Sequence, residues 1–344
     1  MTSPSECNTR LRGHDQELLQ RAATWSGCPT LQDCSTAKLN ELARVHGLDF
    51  ATALLYERLL RVPKHGAFFE RVHAGDEVNI PGPPPAVLIV PGAFYREHKN
   101  TGADGSGIIP LVKELGGPVE RIPLRSFGAL ADNARAIAEC LTAQRGRPVV
   151  LLTLSKGSAD LKIALSRLDA AEVFRDVMAW VSLSGLLQGT PLVQWLRRRP
   201  LRWLGVHLLL WLRGQRYAVL EELRHEGDGP LNRWPKLPSH LRVIHIVGFP
   251  LRRHLSHPFA PRAYERLAPL GPNDGGGFLL GDVAKLPGIV FPVWGTDHYF
   301  QPAWDATSLL RRVLALAMAP AAEFPQASQS ANQPSAPPAS KSTA

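Results

Sequence analysis

The stretch from 147 to 161 constrains the fold most, because a short apolar run meets a serine there and a helical pattern begins. Val149–Leu154 is almost wholly apolar and rich in β-forming residues, which is typical of a strand buried on both faces of a sheet. The next residues are Ser155, Lys156, Gly157 and Ser158, and apolar residues then recur at helical spacing at Leu161, Ala164, Leu165 and Leu168. Strand, sharp turn and helix in this order predict a nucleophile elbow, in which a tight turn lifts the serine hydroxyl above the sheet edge.

The turn departs from the usual elbow pattern at one position. That pattern is Gly-x-Ser-x-Gly, whereas here Thr153 stands two residues before Ser155 and Gly157 stands two residues after it. The branched side chain of Thr153 needs room where the helix crosses the strand. The alternative interpretation is an ordinary strand that ends in a Ser-Lys-Gly turn, so other parts of the chain must supply a base and an acid in the right order.

Length and composition are those of a globular α/β protein. At 344 residues, the chain accommodates an α/β domain of roughly 240 residues with an extension, and a hydrophobic content of 44% suffices for a core. The formal charge of +9 comes largely from arginine clusters such as 197–199. A basic balance is compatible with nucleic acid, an anionic membrane or an acidic substrate. Because no helix-turn-helix, zinc-finger or aromatic RNA-binding motif is present, we expect no nucleic-acid partner.

Cysteine usage and the N-terminus suggest where the protein works. The four cysteines are too few and too scattered for a disulfide framework, and Cys28 and Cys34 lack histidine partners at zinc-ligand spacing. We therefore expect reduced thiols, no metal and no cofactor. The chain does not begin with a basic segment followed by an apolar core, and no apolar run approaches about 18 residues. These features lead us to expect a cytoplasmic protein.

The pattern along the chain predicts three segments. Residues 1–80 are mostly helical and form an N-terminal extension that packs on the main domain or on a partner, and the prolines within 81–85 end it. Residues 81–318 form the main domain. Residues 319–344 consist largely of Ala, Pro, Ser and Gln, so we expect this tail to be disordered.

The main domain alternates apolar strands with amphipathic helices. Strands are predicted at 86–90, 119–124, 149–154, 177–184, 241–249 and 288–294, with helices near 109–115, 130–141 and 306–318. This alternation predicts an α/β fold with a mostly parallel sheet flanked by crossover helices. The alternation breaks at about 187–238, a segment rich in Trp, Leu and Arg, which we interpret as an inserted helical cap.

A base and an acid follow the elbow in the order Ser, acid, His that this architecture uses for nucleophilic catalysis. His298 lies in Gly-Thr-Asp-His just beyond the last predicted strand, where the base belongs. The best candidate for the acid is Asp274, in a glycine-rich turn between the last two strands, although an Asx turn is the structural alternative for it. Asp282 is the second candidate. Asp297 adjoins His298 in sequence, which is a poor geometry for orienting the far nitrogen of that ring.

The combination of Leu-Ser-Lys-Gly, Ser-Leu-Ser-Gly, Gly-Pro-Asn-Asp-Gly and Gly-Thr-Asp-His resembles the α/β-hydrolase superfamily, in particular its bacterial lipase-like and esterase-like members. The resemblance covers about 86–318. It implies an α/β-hydrolase fold, a serine nucleophile, and an oxyanion hole made by backbone N–H groups of Lys156 and of Ala93 or Phe94. The family often has His-Gly before the second donor, where this chain has Pro-Gly. We expect the ammonium group of Lys156 to be solvated.

The resulting hypothesis is a serine hydrolase that cleaves carboxylic esters, with lipid-like acyl esters ahead of small polar ones. In the cap, Trp203 and Trp211 are candidate substrate-binding residues, and the arginines at 197–199 could face anionic headgroups in a peripheral membrane contact. Alternatively, these residues only pack the cap on the sheet. Thioesterase, amidase or acyltransferase chemistry would use the same triad. A catalytically silent scaffold that binds an unknown protein partner is the alternative from a different class.

Overall fold

One parallel sheet forms the centre of the structure, a computed structural model that describes residues 13–212, 214, 217–225, 227, 229–300, 307–320 and 324. Its strands are β1 (Ala86–Val90), β2 (Val119–Arg121), β3 (Val149–Leu154), β4 (Val177–Leu183), β5 (Arg242–Phe249) and β6 (Ile289–Trp294). They lie in the order β2-β1-β3-β4-β5-β6, and each neighbouring pair is parallel. The predicted α/β class with a parallel sheet is therefore confirmed.

Helices precede, connect and follow these strands. They are α1 (Gly13–Thr24), α2 (Thr36–His46), α3 (Leu48–Leu60), α4 (Pro63–Ala74), α5 (Ile109–Glu114), α6 (Leu130–Ala143), α7 (Lys156–Leu165), α8 (Ala170–Val173), α9 (Leu192–Arg197), α10 (Pro200–Leu212), α11 (Ala218–Glu222), α12 (Ala260–Leu267) and α13 (Thr307–Met318). β2 ends at Arg121 and not at the predicted residue 124, in keeping with Pro123, which has no N–H to donate to a ladder.

The core lies in two layers, one on each face of the sheet, because the central strands are buried on both sides. Leu151 and Trp180 face the layer that contains α1, α2, α3, α6 and α7. Val150 and Val181 face the layer formed by α4, α5 and α13. Successive residues of a strand point to opposite faces, so strand geometry alone divides these apolar residues between the two layers.

The N-terminal helices, as far as residues 13–80 are described, pack on the main domain. Tyr56 of α3 makes an edge-to-face contact with Trp294 of β6, with ring centroids 5.1 Å apart. His65 of α4 accepts a hydrogen bond on Nδ1 from the backbone N–H of Val290, at 3.0 Å. Burial lowers the pKa of His65 to about 3, so the imidazole is neutral and able to accept. Since β6 is an edge strand, α4 covers backbone that such a strand would otherwise expose.

The predicted cap lies between β4 and β5 and contains α9, α10 and α11. Its two ends are held by Lys162 of α7, whose buried ammonium donates to the carbonyl oxygens of Leu187 at 2.8 Å and Leu231 at 2.7 Å. The same ammonium lies 4.1 Å from the ring centroid of Trp234. Burial lowers the pKa of Lys162 to about 8. The cap is thus anchored at both ends to the helix that follows Ser155.

Packing extends beyond the predicted boundary at residue 319. Ala319 is buried, and its carbonyl oxygen accepts a hydrogen bond from Arg242 at 2.7 Å. The ring centroids of Phe324 and Phe68 lie 5.6 Å apart. The Arg242 guanidinium lies above the Phe324 ring. Ala319 and Phe324 of the predicted tail therefore pack against the domain. The other tail residues, 321–323 and 325–344, lie outside the described residues, as do 1–12.

Along the described part of the chain, no helix combines the length and the apolar character needed to cross a bilayer.

Candidate active site

Ser155 occupies a strained turn between β3 and α7. Its backbone has φ +48° and ψ −114°, a region that a residue with a Cβ adopts at a cost of about 1–3 kcal/mol. Two hydrogen bonds hold the turn, from its N–H to the Leu183 carbonyl (3.0 Å) and from the Leu186 N–H to its carbonyl (3.1 Å). A Cβ on Gly157 would lie 2.5 Å from the Val90 carbonyl oxygen, so only glycine fits there. The turn has the geometry predicted for an elbow.

Thr153, the departure from the elbow pattern, is accommodated by hydrogen bonds. The residue is fully buried, and its Oγ1 accepts from Nε1 of Trp180 at 2.9 Å and lies 2.7 Å from Oγ of Ser158. Ser158 Oγ in turn lies 2.9 Å from Oγ of Ser182. The small side chain of Ser158 in α7 leaves the room that a branched residue at 153 needs.

The structure brings together the three residues predicted as nucleophile, base and acid. Nε2 of His298 lies 3.0 Å from Oγ of Ser155, and Nδ1 lies 2.6 Å from Oδ2 of Asp274. The other carboxylate oxygen of Asp274 accepts the backbone N–H groups of Gly276, Gly277 and Phe278 at 2.9–3.1 Å. Asp274 is therefore fixed by its own turn and can hold the His298 ring with Nε2 facing the serine hydroxyl.

Asp282, the second candidate for the acid, and Asp297 have other partners. Asp282 lies 2.6 Å from Nε2 of His225 and 2.8 Å from Nζ of Lys285. Asp297 accepts the N–H groups of Ser256 at 2.8 Å, His257 at 3.2 Å and Tyr299 at 3.0 Å. These contacts tie the cap to the domain and fix the loops around the last strand.

The pKa of His298 lies above its usual value. Burial lowers it, but the charge and hydrogen bond of Asp274, with a further contribution from the charge of Asp297, outweigh that effect. A general base must be neutral to accept a proton. With His298 as the general base, the rate of ester hydrolysis should therefore rise with pH. The midpoint of the rise should lie above the ordinary histidine pKa of about 6.5.

Replacement of Asp274 by Asn should move that midpoint to lower pH, because the carboxylate charge that raises the pKa of His298 is removed. The maximal rate should also fall, by about 10⁴-fold. The measurement is the pH profile of kcat/KM for a soluble ester. Asp282→Asn is the matched control, since it alters a buried carboxylate that pairs with another histidine, and its midpoint should stay in place. If the midpoint moves in Asp282→Asn and not in Asp274→Asn, then Asp282 is the acid that acts on His298 and Asp274 is not.

The predicted oxyanion donors lie around the same opening. The N–H of Gly92 donates to the Ala103 carbonyl at 2.8 Å and is engaged. Ala93, Phe94 and Lys156 line the cavity beside Ser155, and their N–H groups donate to no backbone carbonyl of the described residues. Phe94 has φ +57°, which gives a sharply turned loop after β1. These backbone groups are the ones that could receive an oxyanion.

The side chain of Lys156 is buried, so the expectation that it is solvated is wrong. Its Nζ lies 2.7 and 2.9 Å from the two carboxylate oxygens of Asp160, one turn later in α7. Asn133 of α6 donates to the same carboxylate at 3.1 Å. Lys156 thus lines the cavity, while its ammonium pairs with a carboxylate inside the domain.

Lys156→Met should destabilise the fold by about 3–5 kcal/mol, because it leaves the Asp160 carboxylate buried without its cation. The free energy of unfolding in urea measures this. The double variant Lys156→Met/Asp160→Leu should recover much of the loss, since no buried charge remains. A single variant as stable as the parent would contradict the pairing.

A cavity of about 310 Å³ opens beside Ser155 and His298. Its cap side consists of Leu192, Val193, Leu196, Leu220 and Leu223. Phe94 and Phe127 contribute from the sheet side. This volume falls at the lower end of the range for small-molecule sites, about 300–1,000 Å³.

The two predicted substrate-binding tryptophans do not line this cavity. Trp203 packs on the inner face of α10, within an apolar cluster beneath the cap. Trp211 is 70% exposed on the outer face of that helix. None of the described residues that line the cavity belongs to α10, and leucines and a valine from other parts of the cap take the place assigned to the tryptophans.

Ser184 is a cavity residue that the sequence reasoning did not single out. It has φ +46° at the end of β4, and its buried Oγ has no hydrogen-bond partner among the described residues. The hydroxyl can therefore donate to a bound ligand. The available signal was the motif Ser-Leu-Ser-Gly, which ends β4 much as the elbow ends β3. Within the described ranges, no three His, Cys, Asp or Glu side chains lie close enough together to hold a metal ion.

Comparisons with known proteins bear on the fold. No protein-family model matches the chain, and no curated protein matches it in sequence. Among solved structures, a metagenomic carboxyl esterase superposes with a TM-score of 0.53 at 18% identity, over 75% of this chain and 89% of that chain. A mature Bacillus licheniformis lipase gives a TM-score of 0.48 at 19% identity, over 70% and 93% of the two chains. The carboxyl esterase confirms the predicted α/β-hydrolase fold.

Proposed function

We propose that the protein is a serine hydrolase that cleaves carboxylic esters with an apolar acyl chain. One observation carries the proposal. Asp274, His298 and Ser155 are within hydrogen-bond distance of one another in that order, and Ser155 borders a cavity whose walls are mostly apolar. The metagenomic protein of similar fold is called a carboxyl esterase, which is in keeping with this chemistry.

The triad residues and the backbone N–H groups have distinct roles in the proposed reaction, and His298 acts in more than one step. His298 takes the proton of Ser155 as Oγ attacks the ester carbonyl carbon, while Asp274 holds the imidazole in the required tautomer. The N–H groups of Lys156 and of Ala93 or Phe94 stabilise the oxyanion, at about 3 kcal/mol per donor. His298 then protonates the departing alcohol. Water, activated by the same histidine, hydrolyses the acyl-serine and frees the acid.

The cavity favours a neutral acyl chain over a charged one. Lys156 carries the one permanently charged side chain among the residues that line it, and that ammonium is paired with Asp160. A charged acyl group would therefore lose its hydration without gaining a partner, which is costly.

Labelling with a fluorophosphonate probe tests the proposal directly. The parent protein should be labelled at Ser155, and Ser155→Ala should not be labelled. Lack of labelling in the parent would favour a catalytically silent scaffold. A matched panel of oxygen esters and thioesters, assayed with and without an added alcohol acceptor, would then separate esterase from thioesterase and acyltransferase activity.

Leu196→Trp should shorten the acyl chain that the cavity accepts, because an indole at this position fills its cap side. The ratio of kcat/KM for p-nitrophenyl octanoate to that for the acetate should fall about tenfold or more. Leu201→Trp, on the exposed outer face of α10, is the matched control and should leave the ratio unchanged. If Leu196→Trp and Leu201→Trp give the same octanoate-to-acetate ratio, then the acyl chain does not occupy the cap side of the cavity.

A further inference from the structure

The outer face of α10 carries a continuous row of exposed apolar side chains. Each of these side chains is between 44% and 85% exposed. The row consists of Leu201, Leu204, Leu208, Leu209, Trp211 and Leu212. With 3.6 residues per turn, all but Leu209 fall within an arc of about 100°. A contiguous apolar patch of this kind marks a surface that contacts something outside the chain.

The opposite face of α10 is already used for packing. Leu210 is buried, and Trp203 and Val206 pack on the apolar cluster that includes Phe127 and Leu220. The helix is therefore anchored by its inner face alone. Its outer row is apolar without being needed to hold the helix in place.

A basic groove adjoins the N-terminal end of this helix. It is lined by Trp195, Arg198, Arg199, Arg262 and Arg266, and Arg202 lies over the same Trp195 ring. Among the described residues, no carboxylate lies within ion-pair distance of any of these arginines, and Glu265 at the groove edge pairs with Arg252 at 2.7 Å. Burial and the neighbouring guanidinium groups lower the pKa of Arg266. The groove therefore concentrates positive charge that the described residues leave unneutralised.

Helix α9 separates this groove from the cavity at Ser155. Leu192, Val193 and Leu196 line the cavity, whereas Gln194, Trp195 and Arg198 line the groove. α10 begins only three residues after α9 ends. The apolar row and the groove thus form one surface beside the cap wall of the cavity.

We infer that this surface, the outer face of α10 with the arginine groove, docks on an anionic lipid bilayer. The apolar row is buried at the boundary between headgroups and acyl chains, and the guanidinium groups bind lipid phosphates. The helix is about 20 Å long at 1.5 Å per residue, shorter than a hydrocarbon core of roughly 30 Å, so it lies in the plane of the interface. That docking presents acyl esters to the cavity rests on the proposed function. The docking itself does not.

Charge complementarity favours a lipid surface over a second copy of the chain. Two copies docked through this face would enclose two arginine grooves in one interface with no free carboxylate among the described groove residues to neutralise them, which is electrostatically unfavourable. An anionic bilayer neutralises the arginines and takes up the leucines in the same contact.

Co-sedimentation with vesicles tests the inference, with Ser155→Ala protein as the parent so that lipid is not hydrolysed. Binding should be strong on phosphatidylcholine vesicles that contain phosphatidylglycerol, weak on phosphatidylcholine alone, and reduced by salt. Leu204→Ser/Leu208→Ser should weaken binding about tenfold or more, and Arg198→Ser about fivefold. Leu168→Ser and Arg147→Ser, which alter exposed residues outside this surface, should bind like the parent.

Fluorescence provides a second readout. Brominated acyl chains should quench Trp211, so the difference between the parent and Trp211→Phe isolates its insertion. Equal vesicle binding by the parent and Leu204→Ser/Leu208→Ser would overturn the inference. So would a dimer, seen by light scattering, that this double variant dissociates while no vesicle is bound. When Ser155 is retained, Leu204→Ser/Leu208→Ser should hydrolyse soluble short esters at the rate of the unaltered protein. A failure of docking can therefore be distinguished from a failure of the proposed function.

Discussion

Ser155→Ala is expected to lower kcat for soluble p-nitrophenyl esters by about 10⁶-fold. In the proposed reaction the Ser155 hydroxyl oxygen forms the acyl intermediate, and alanine has no nucleophilic atom to take its place. His298→Ala should cost about as much, and the double variant Ser155→Ala/His298→Ala should cost no more than either single change, because the two groups act as a unit. Initial rates for the three variants, measured beside their melting curves, test this.

Ser166→Ala is the matched control for this series. Ser166 lies just beyond α7, and its hydroxyl donates to the Lys162 carbonyl at 3.0 Å, away from the cavity. Its loss should leave the rate unchanged. Full activity in Ser155→Ala, or losses that multiply in the double variant, would refute the proposed catalytic unit.

Gly276→Ala is expected to lower kcat by about 10²-fold or more without removing any reacting group. A Cβ on Gly276 would lie 1.9 Å from Cγ of His298 and 2.3 Å from its Cβ and Cδ2. The imidazole must then shift, and misplacement of a catalytic group by about 1 Å costs on the order of 10²-fold. Single-turnover rates would show the loss in the chemical step.

Gly107→Ala provides the comparison, because a Cβ at Gly107 meets nothing within 4 Å. It should match the parent in rate. If Gly276→Ala keeps its melting temperature and also its rate, then His298 does not need the position that the structure gives it.

The strands and the candidate triad could be predicted because their signals are local. An apolar run such as Val149–Leu154 favours burial on both faces. The turn after it requires Gly157, whose missing Cβ leaves room for the carbonyls of Val90 and Pro91. Once Ser155 is placed at a strand end, chain order limits the acid and the base to a few loops, and Asp274 and His298 are in two of them.

Other features depend on how elements cross, which local pattern does not encode. The apolar faces of α10 were visible in the sequence, but nothing in the helix indicates which face meets the domain, and Trp203 and Trp211 were therefore assigned to the wrong surroundings. Lys156 and Asp160 are four residues apart, a spacing that usually means an exposed pair on a helix surface. Here the pair is buried, and α6 crosses close enough for Asn133 to donate to the same carboxylate.

The Lys162 ammonium limits how the cap can open. A lid that swung away as one body would break the contacts to Leu187 and Leu231, which costs about 3–6 kcal/mol for two hydrogen bonds from a charged group. Motion of α9 and α10 between those fixed ends breaks neither contact. Substrate should therefore reach Ser155 through fluctuations within the cap, on the nanosecond-to-microsecond scale of loop motion, and not by waiting for a slower hinge movement.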